Sequence, residues 1–379
     1  MLPVLSLMLH LYVGARLLPE MGGWPVLSTL LVLSLIASAL FMPMGIGVGA
    51  RMAGVGFIAA RVVTWLGWVG MGLFSSLFVL TLVRELVLLV LFAVDATSPE
   101  LFEGDAFRRN SALGVSLLGF GVTLLGFSNA RRTAAVTRVT VPISNLPVAL
   151  EGFRLVQISD IHIGPTIRGD YLRRIVTTVN RLAPDMVAIT GDLVDGSVRE
   201  LERHVVPLAE LTSRHGSYFV TGNHEYYSGV HSWIAELQRL GIKVLLNDHV
   251  ILKHDGALAV VAGVTDYSAA HFDPAHRSDP FAAIAGSPPD AGVKILLAHQ
   301  PRSAAAAADA GFDLQLSGHT HGGQFMPWNF FVRMQQPFVA GLHRLRHLWV
   351  YTSRGTGYWG PPKRFGAPSE ITLLTLTAA

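Results

Sequence analysis

Apolar residues are distributed along this chain in two different ways. Over the first 130 positions they run on in blocks of Leu, Val, Gly and Phe, with four stretches standing out at 2–18, 24–42, within 62–94 and at 111–127. A helix needs about 20 apolar residues to cross a bilayer, so these stretches predict four spanning helices, the first and last short and nearly upright. The third run is too long for one crossing and is interrupted by Arg84 and Glu85. It is expected to form one helix over 63–83 that continues past the membrane surface, the alternative being a buried polar pair lining a path. Hydrophobic segments recur to residue 127, which argues against a cleaved N-terminal signal.

Beyond a linker expected over 131–150, with Pro142 and Pro147, short β-rich runs alternate with helical patterns. Strands are predicted at 153–159, 185–190, 217–221, 258–264, 293–298 and 313–317, and helices at 169–182, 198–212 and 230–240. The expected organisation is a multi-span region over 1–130, the linker, and an α/β domain over 151–379. That domain is long enough to bury a core of its own.

Composition sharpens this division. Only twelve of the Asp, Glu, Lys and Arg residues precede residue 131, whereas 14 of the 15 histidines follow it. The absence of cysteine excludes disulfides, thiolate metal ligands and a cysteine nucleophile. The formal charge is only +3, with four lysines, all beyond residue 240. No basic run of the kind that tracks nucleic acid is present, so no nucleic-acid partner is expected. A multi-pass membrane protein is expected, with no obligate protein partner. Arg51, Arg61, Arg131, Arg132 and Arg138 near the span ends favour a cytoplasmic α/β domain. Arg108-Arg109 before an apolar segment resembles a twin-arginine export signal and points to the opposite side.

The chemistry lies at the strand ends. Asp160 and His162 follow the first strand, Gly191-Asp192 and Asp195 the second, and Gly222-Asn223-His224-Glu225 the third. His299 ends the run at 293–298, and Gly318-His319-x-His321 follows the last strand. In α/β sheets ligands bind at the carboxyl ends of strands, and five such ends carrying metal-binding side chains point to one shared site. His271 and His276, with Asp266 and Asp273, fall in a loop after 258–264 that either lines a cleft or is plain surface. His204, His215, His231, His249, His254, His343 and His347 are expected on solvated faces.

Together these motifs resemble those of the calcineurin-like metallophosphoesterases, in the family's order. The longer forms SDIHIG, GHTHGGQF and SRGTGYWGPPKRFGAPSEITLL are similar to its bacterial membrane-bound YkuE/YaeI-like branch. The resemblance covers about residues 150–379 and implies a four-layer α/β/β/α sandwich of two mixed sheets with metals at one edge. It further implies two divalent ions about 3.5–4 Å apart, one held by Asp160, His162 and His321 and the other by Asn223, His299 and His319. Asp192 would bridge them, one carboxylate oxygen for each. Mn²⁺ is favoured by the resemblance, while Fe or Zn²⁺ also suit the mixed N/O donors. His224 would protonate or stabilise the leaving oxygen, oriented by Asp195. Arg354 and Arg364 are candidates to grip a second phosphate, against simple packing of the tail. The implied reaction is hydrolysis of a phosphodiester or pyrophosphate, with lipids such as UDP-diacylglucosamine or phospholipids as substrates, given the anchor. A phosphomonoester or phosphoprotein phosphatase is the enzymatic alternative, and a membrane sensor or transporter with a ligand-binding domain is the non-enzymatic one.

Overall fold

The computed structural model describes residues 2–51, 57–95 and 104–379. They separate into two compact units, one of residues 1–131 with 360–365 and the other of residues 132–359 with 366–379. Among the described residues, four helices are long and apolar enough to cross a membrane. They are α1 (Leu2–Leu17), α2 (Pro25–Arg51), α3 (Phe57–Asp95) and α4 (Gly104–Arg131). Val13, Leu17, Leu31, Leu35, Phe74, Leu77, Ala112 and Val115 pack together as the core of this unit. Leu, Val and Phe side chains elsewhere on the helices point outward, as helices hydrophobic on all sides do in a bilayer.

The third apolar run does not end at Arg84. α3 continues through it to Asp95, and Arg84 is buried. Its Nε donates to Ser111 Oγ at 2.9 Å, Nη2 to the Arg108 carbonyl at 3.0 Å and Nη1 to Glu85 Oε1 at 2.7 Å. Glu85 also pairs with Arg16 at the end of α1. The interruption in the hydrophobic pattern is therefore a polar knot tying α1, α3 and α4, rather than a helix end among headgroups. Guanidinium suits this place because its planar fork can satisfy several acceptors at once. The segment Gly360–Phe365 belongs to the same unit. Its Lys363 Nζ donates to Gly72 O, Ser76 Oγ and Thr123 Oγ1 at 2.8, 2.5 and 3.1 Å.

The second unit contains β1 (Ala135–Ile143), β2 (Arg154–Ile158), α5 (Gly169–Arg181), β3 (Met186–Ile189), α6 (Val198–Val205), β4 (Ser217–Phe219), α7 (Asn223–Ser228), α8 (Val230–Arg239) and β5 (Lys243–Val244). It continues with β6 (Asp248–His254), β7 (Ala257–Gly263), α9 (Pro280–Ile284), β8 (Val293–Leu297), α10 (Ala304–Asp309), β9 (Leu314–Ser317), α11 (Trp328–Val332), β10 (Gly341–Leu345), β11 (Leu348–Thr352) and β12 (Glu370–Ala378). The described strands form two six-stranded mixed sheets, in the orders β1-β12-β2-β3-β4-β5 and β10-β11-β9-β8-β7-β6. Leu155, Met186, Ala188, Val220 and Leu374 of the first sheet share a core with Val261, Ile295, Leu297, Leu314 and Leu316 of the second. The opposite face of the second sheet packs on α9 and α10 through Ala262, Leu296, Ala283, Ala304 and Ala307. Two sheets face to face with helices outside give the sandwich expected from the motifs.

Two boundaries differ from expectation. Much of the segment 131–150, expected as a linker, is part of the sheet, since β1 pairs in parallel with β12 from Ala135–Glu370 to Ile143–Ala378. Pro142 is tolerated there because β1 is an edge strand, where a missing N–H need not break a ladder. The helix expected over 198–212 ends at Val205 and tightens into a 3-10 turn over Val206–Glu210, because Pro207 cannot donate to the α-helical ladder.

The polar knot generates a test. Replacing Arg84 by Ala leaves the Arg108 and Arg16 carbonyls and Ser111 without their donor, at a cost of about 1–3 kcal/mol. Thermal unfolding of the full chain in detergent is expected to show a lowered midpoint for Arg84→Ala. Arg84→Lys should recover only part of the loss, because a single ammonium cannot span the same acceptors.

Candidate metal centre

The predicted donors all emerge from carboxyl ends of strands in both sheets. β2 leads to Asp160 and His162, β3 to Asp192, β4 to Asn223, β8 to His299, and β9 to His319 and His321. The chain turns abruptly at these ends. Asp160, His162, Asp192, His319 and His321 all have positive φ, between 51° and 69°, a conformation that non-glycine residues adopt rarely and at a cost. The turns are held by backbone bonds across the strand ends, with Asp160 N–H donating to Gly191 O at 3.0 Å and His162 N–H to Asp192 O at 3.1 Å. Gly318 is needed for closeness, because a Cβ there would strike Ser159 Oγ and the Asp160 carboxylate.

The donors converge into two adjoining groups, Asp160 with His162 and His321, and Asp192 with His299 and His319. His321 Nε2 stands 3.4 Å from Asp160 Oδ1 and 3.0 Å from His162 Nε2. His299 Nε2 stands 3.2 Å from both Asp192 Oδ2 and His319 Nδ1. Asp192 Oδ2 also faces His162 Nε2 at 3.9 Å. Its Oδ1 accepts the backbone N–H of His224 at 2.9 Å. Oδ2 is thus the oxygen that faces the imidazoles, while Oδ1 is used to hold the backbone of His224.

Several observations fit this pocket to divalent ions. Asn223 Oδ1 is buried without a hydrogen-bond partner among the described residues, an arrangement costly for an acceptor unless it serves as a ligand. His299 Nδ1 faces the Thr190 carbonyl at 2.7 Å, so Nδ1 carries the proton and Nε2 is turned toward the site. Burial pushes the His319 imidazole down to about 3, keeping its ring neutral and its lone pair available. Burial and the Asp192 charge push Asp160 up, whereas at Asp192 the neighbouring His299 and His224 outweigh burial and hold the carboxyl well below its usual range.

His224 sits beside both groups with its Nδ1 2.6 Å from Asp195 Oδ1. The same oxygen lies 2.9 Å from His162 Nδ1, so Asp195 orients a metal-type donor as well as the expected acid. Burial alone would lower the His224 pKa. The charge of Asp192 and the hydrogen bond to Asp195 outweigh it and raise the group to about 9. At Asp195 the two imidazoles overcome burial and hold the carboxyl below its usual range. Glu225, to which the sequence pattern assigned no role, is buried and accepts backbone N–H groups of Gly222, Asp192, Leu193 and Val194 at 2.7, 3.0, 2.8 and 3.3 Å. It locks the β3 turn to the start of α7. Its place in the Asn-His-Glu run was the available clue.

Of the two arginines expected at substrate, Arg354 is paired with a carboxylate and Arg364 is buried. Arg354 donates from Nε and Nη2 to buried Glu370 Oε2 at 2.8 and 2.5 Å. Arg364 is buried in the helical unit, with its backbone N–H bonded to Gly126 O. These contacts are structural, in line with packing of the tail. His254, expected on a solvated face, is buried beside Phe153 and meets His215 at 2.9 Å.

Comparison with known proteins agrees with this geometry. The family model for calcineurin-like phosphoesterases matches residues 153–323. A Bos taurus transmembrane protein with a metallophosphoesterase domain is 42% identical over 68% of this chain, which spans 60% of that relative's length. A metallophosphoesterase of Campylobacter jejuni is 37% identical over 69% of each chain. Bacillus subtilis YkuE, also named a metallophosphoesterase, is 29% identical over 63% of this chain and 84% of its own. With the strand-end donors gathered at one edge of the two sheets, these likenesses settle the family: the chain belongs to the calcineurin-like metallophosphoesterases.

Proposed function

We propose that this protein is a membrane-anchored hydrolase of a phosphodiester or pyrophosphate bond in an amphipathic, lipid-type substrate. The observation that carries the phosphoester reading is the convergence of imidazoles and carboxylates in two adjoining groups, with Asn223, next in sequence to the Gly222 that abuts Asp192, burying an unpartnered Oδ1. Asp160, His162 and His321 would hold one divalent ion, and Asn223, His299 and His319 the other, with Asp192 between them. Bound there, such cations act as Lewis acids on phosphoryl oxygens and make an attacking water more acidic. Mn²⁺ is the favoured ion and a bacterial plasma membrane crossed by the four helices the proposed setting.

The protein's own residues supply the rest. With Nδ1 committed to Asp195, a protonated His224 would present Nε2 as the proton donor to the departing oxygen. Asp195 fixes the ring, and Asp192 Oδ1 fixes the backbone that carries it. The support for a lipid-type substrate is α11, which follows the ligand turn directly. It is seated on Gly323, where any Cβ would collide with the backbone of Asn329 in that helix. From it and its flanks Met326, Trp328, Phe330, Phe331 and Met334 stand exposed. An apolar cluster of this kind beside a polar centre suits acyl chains adjoining a phosphate.

The tests use the full chain purified in detergent and loaded with Mn²⁺. It should hydrolyse bis-p-nitrophenyl phosphate faster than p-nitrophenyl phosphate, and Asp192→Asn should lower the diester rate by at least about 100-fold. A strong monoester preference would instead favour the phosphatase reading.

His224→Gln is expected to slow cleavage of an alkyl-leaving-group diester by about 10²–10⁴-fold. The loss should be much smaller with p-nitrophenolate, which leaves without a proton. Equal losses on both substrates would assign His224 a role other than acid.

Phe330→Ser combined with Phe331→Ser should raise KM for a long-chain lipid diester by about tenfold, equivalent to about 1.4 kcal/mol. KM for bis-p-nitrophenyl phosphate should stay unchanged. A parallel rise on both would show damage to the turn rather than loss of a lipid contact.

A further inference from the structure

A second constellation of metal-type donors lies outside the strand ends. His231 stands in the first turn of α8, while Asp273 and His276 belong to the loop between β7 and α9. His231 Nε2 is 3.3 Å and His276 Nε2 3.9 Å from one oxygen, Asp273 Oδ2. The three donor atoms lie within 4.8 Å of one another. Around a tetrahedral ion with bonds of about 2.0–2.1 Å, neighbouring donors stand about 3.3 Å apart. His231 Nε2 already stands at that spacing from Asp273 Oδ2, and the remaining closure is between Asp273 and His276, at 3.9 Å.

The surrounding bonds prepare these atoms for that use. Asp273 Oδ1 accepts the backbone N–H of Ala275 at 3.0 Å, which leaves Oδ2 facing the imidazoles. His276 is held from behind, with its carbonyl accepting from Thr265 Oγ1 at 2.7 Å and its Nδ1 2.9 Å from Tyr226 Oη. Tyr226 Oη in turn lies 3.4 Å from Thr221 Oγ1. In one consistent arrangement His276 Nδ1–H donates to Tyr226 and Tyr226 donates to Thr221, so the His276 Nε2 lone pair points at Asp273. With two imidazole nitrogens facing one carboxylate oxygen, either a proton or a cation lies between these donor atoms. An imidazole whose far nitrogen is hydrogen-bonded is also the usual support for a metal ligand.

We propose that His231, Asp273 and His276 form a third metal site, separate from the dinuclear centre, for a borderline divalent ion of the zinc type. Two imidazoles and one carboxylate leave its fourth position to water. An ion there ties the loop 265–279 to α8. That loop carries Phe272, whose ring packs on Tyr226 and Tyr227 at 5.7 and 5.4 Å, and Tyr227 packs on His224 at 5.2 Å. The site thus braces the wall beside the proton donor without touching the reacting atoms.

The test uses metal-stripped full-length protein in detergent, titrated with Zn²⁺ by calorimetry and with Co²⁺ by visible absorption, and needs no turnover. Wild type is expected to take up three equivalents. His231→Ala and Asp273→Asn should each take up two, with unfolding midpoints in the stripped state matching wild type. In an Asp192→Asn background, His231→Ala should still remove one equivalent, which separates this site from the dinuclear one. Uptake of no more than two equivalents by wild type, or identical uptake by wild type and both single variants, would overturn the proposal.

Discussion

The centre is organised around a single oxygen, Asp192 Oδ2. It faces His162 from the first sheet and His299 from the second, at 3.9 and 3.2 Å, so the two halves of the sandwich deliver their donors to the same point. A carboxylate buried among apolar strands costs several kcal/mol unless positive charge or hydrogen bonds compensate it. Here the imidazoles, and any cations they hold with it, supply that compensation. Its placement is independent of them, because Oδ1 and the backbone N–H are already committed to His224 and Glu225. The carboxylate is therefore aimed before anything binds, which is what a preorganised site requires.

That preorganisation has a conformational cost. Five donors sit at positive φ, each disfavoured by up to about 1–3 kcal/mol, less for Asp and His than for most residues. The sheets behind them meet this cost through the shared hydrophobic core and through backbone bonds that extend strand pairing past the last strand residue, such as Ile163 N–H to Leu193 O at 2.8 Å. Buried Glu370 works on the far side of the same region. It accepts from Tyr351 at 2.8 Å and from Arg354, and the Arg354 stem lies beneath Gly322 in the ligand turn. The arginine read from sequence as a phosphate grip instead braces the turn that carries two histidines.

What could be read in the sequence follows from the range of the forces involved. Strand ends bearing Asp160, Asp192, Asn223, His299 and His319 were visible because each combines a local apolar run with a polar stop. β1 was not, although its Val136, Val139 and Val141 show strand-like composition, because two prolines outweighed them and its partner β12 lies more than 200 residues away. The burial of Arg84 was legible only as an alternative, since apart from Glu85 beside it on α3 its acceptors come from α1 and α4, far away in the sequence. Glu225 escaped for a different reason. Its partners are backbone N–H groups, which leave no trace in side-chain identity.

The run Asn223-His224-Glu225 shows how much function one helical turn can distribute. Successive side chains on a helix diverge by about 100°, so three neighbours at the start of α7 face three surroundings. Asn223 buries an amide oxygen that no hydrogen bond satisfies, His224 swings toward Asp195, and Glu225 points back at the β3 turn. Because all three share one short rigid element, a shift in any of them moves the others. Glu225 binds the backbone of Asp192, and Asp192 binds the backbone of His224, so the three residues form a closed loop of contacts. In such a loop, loosening Glu225 displaces Asp192 and His224 together, and geometry rather than the strength of any one bond keeps the two in register.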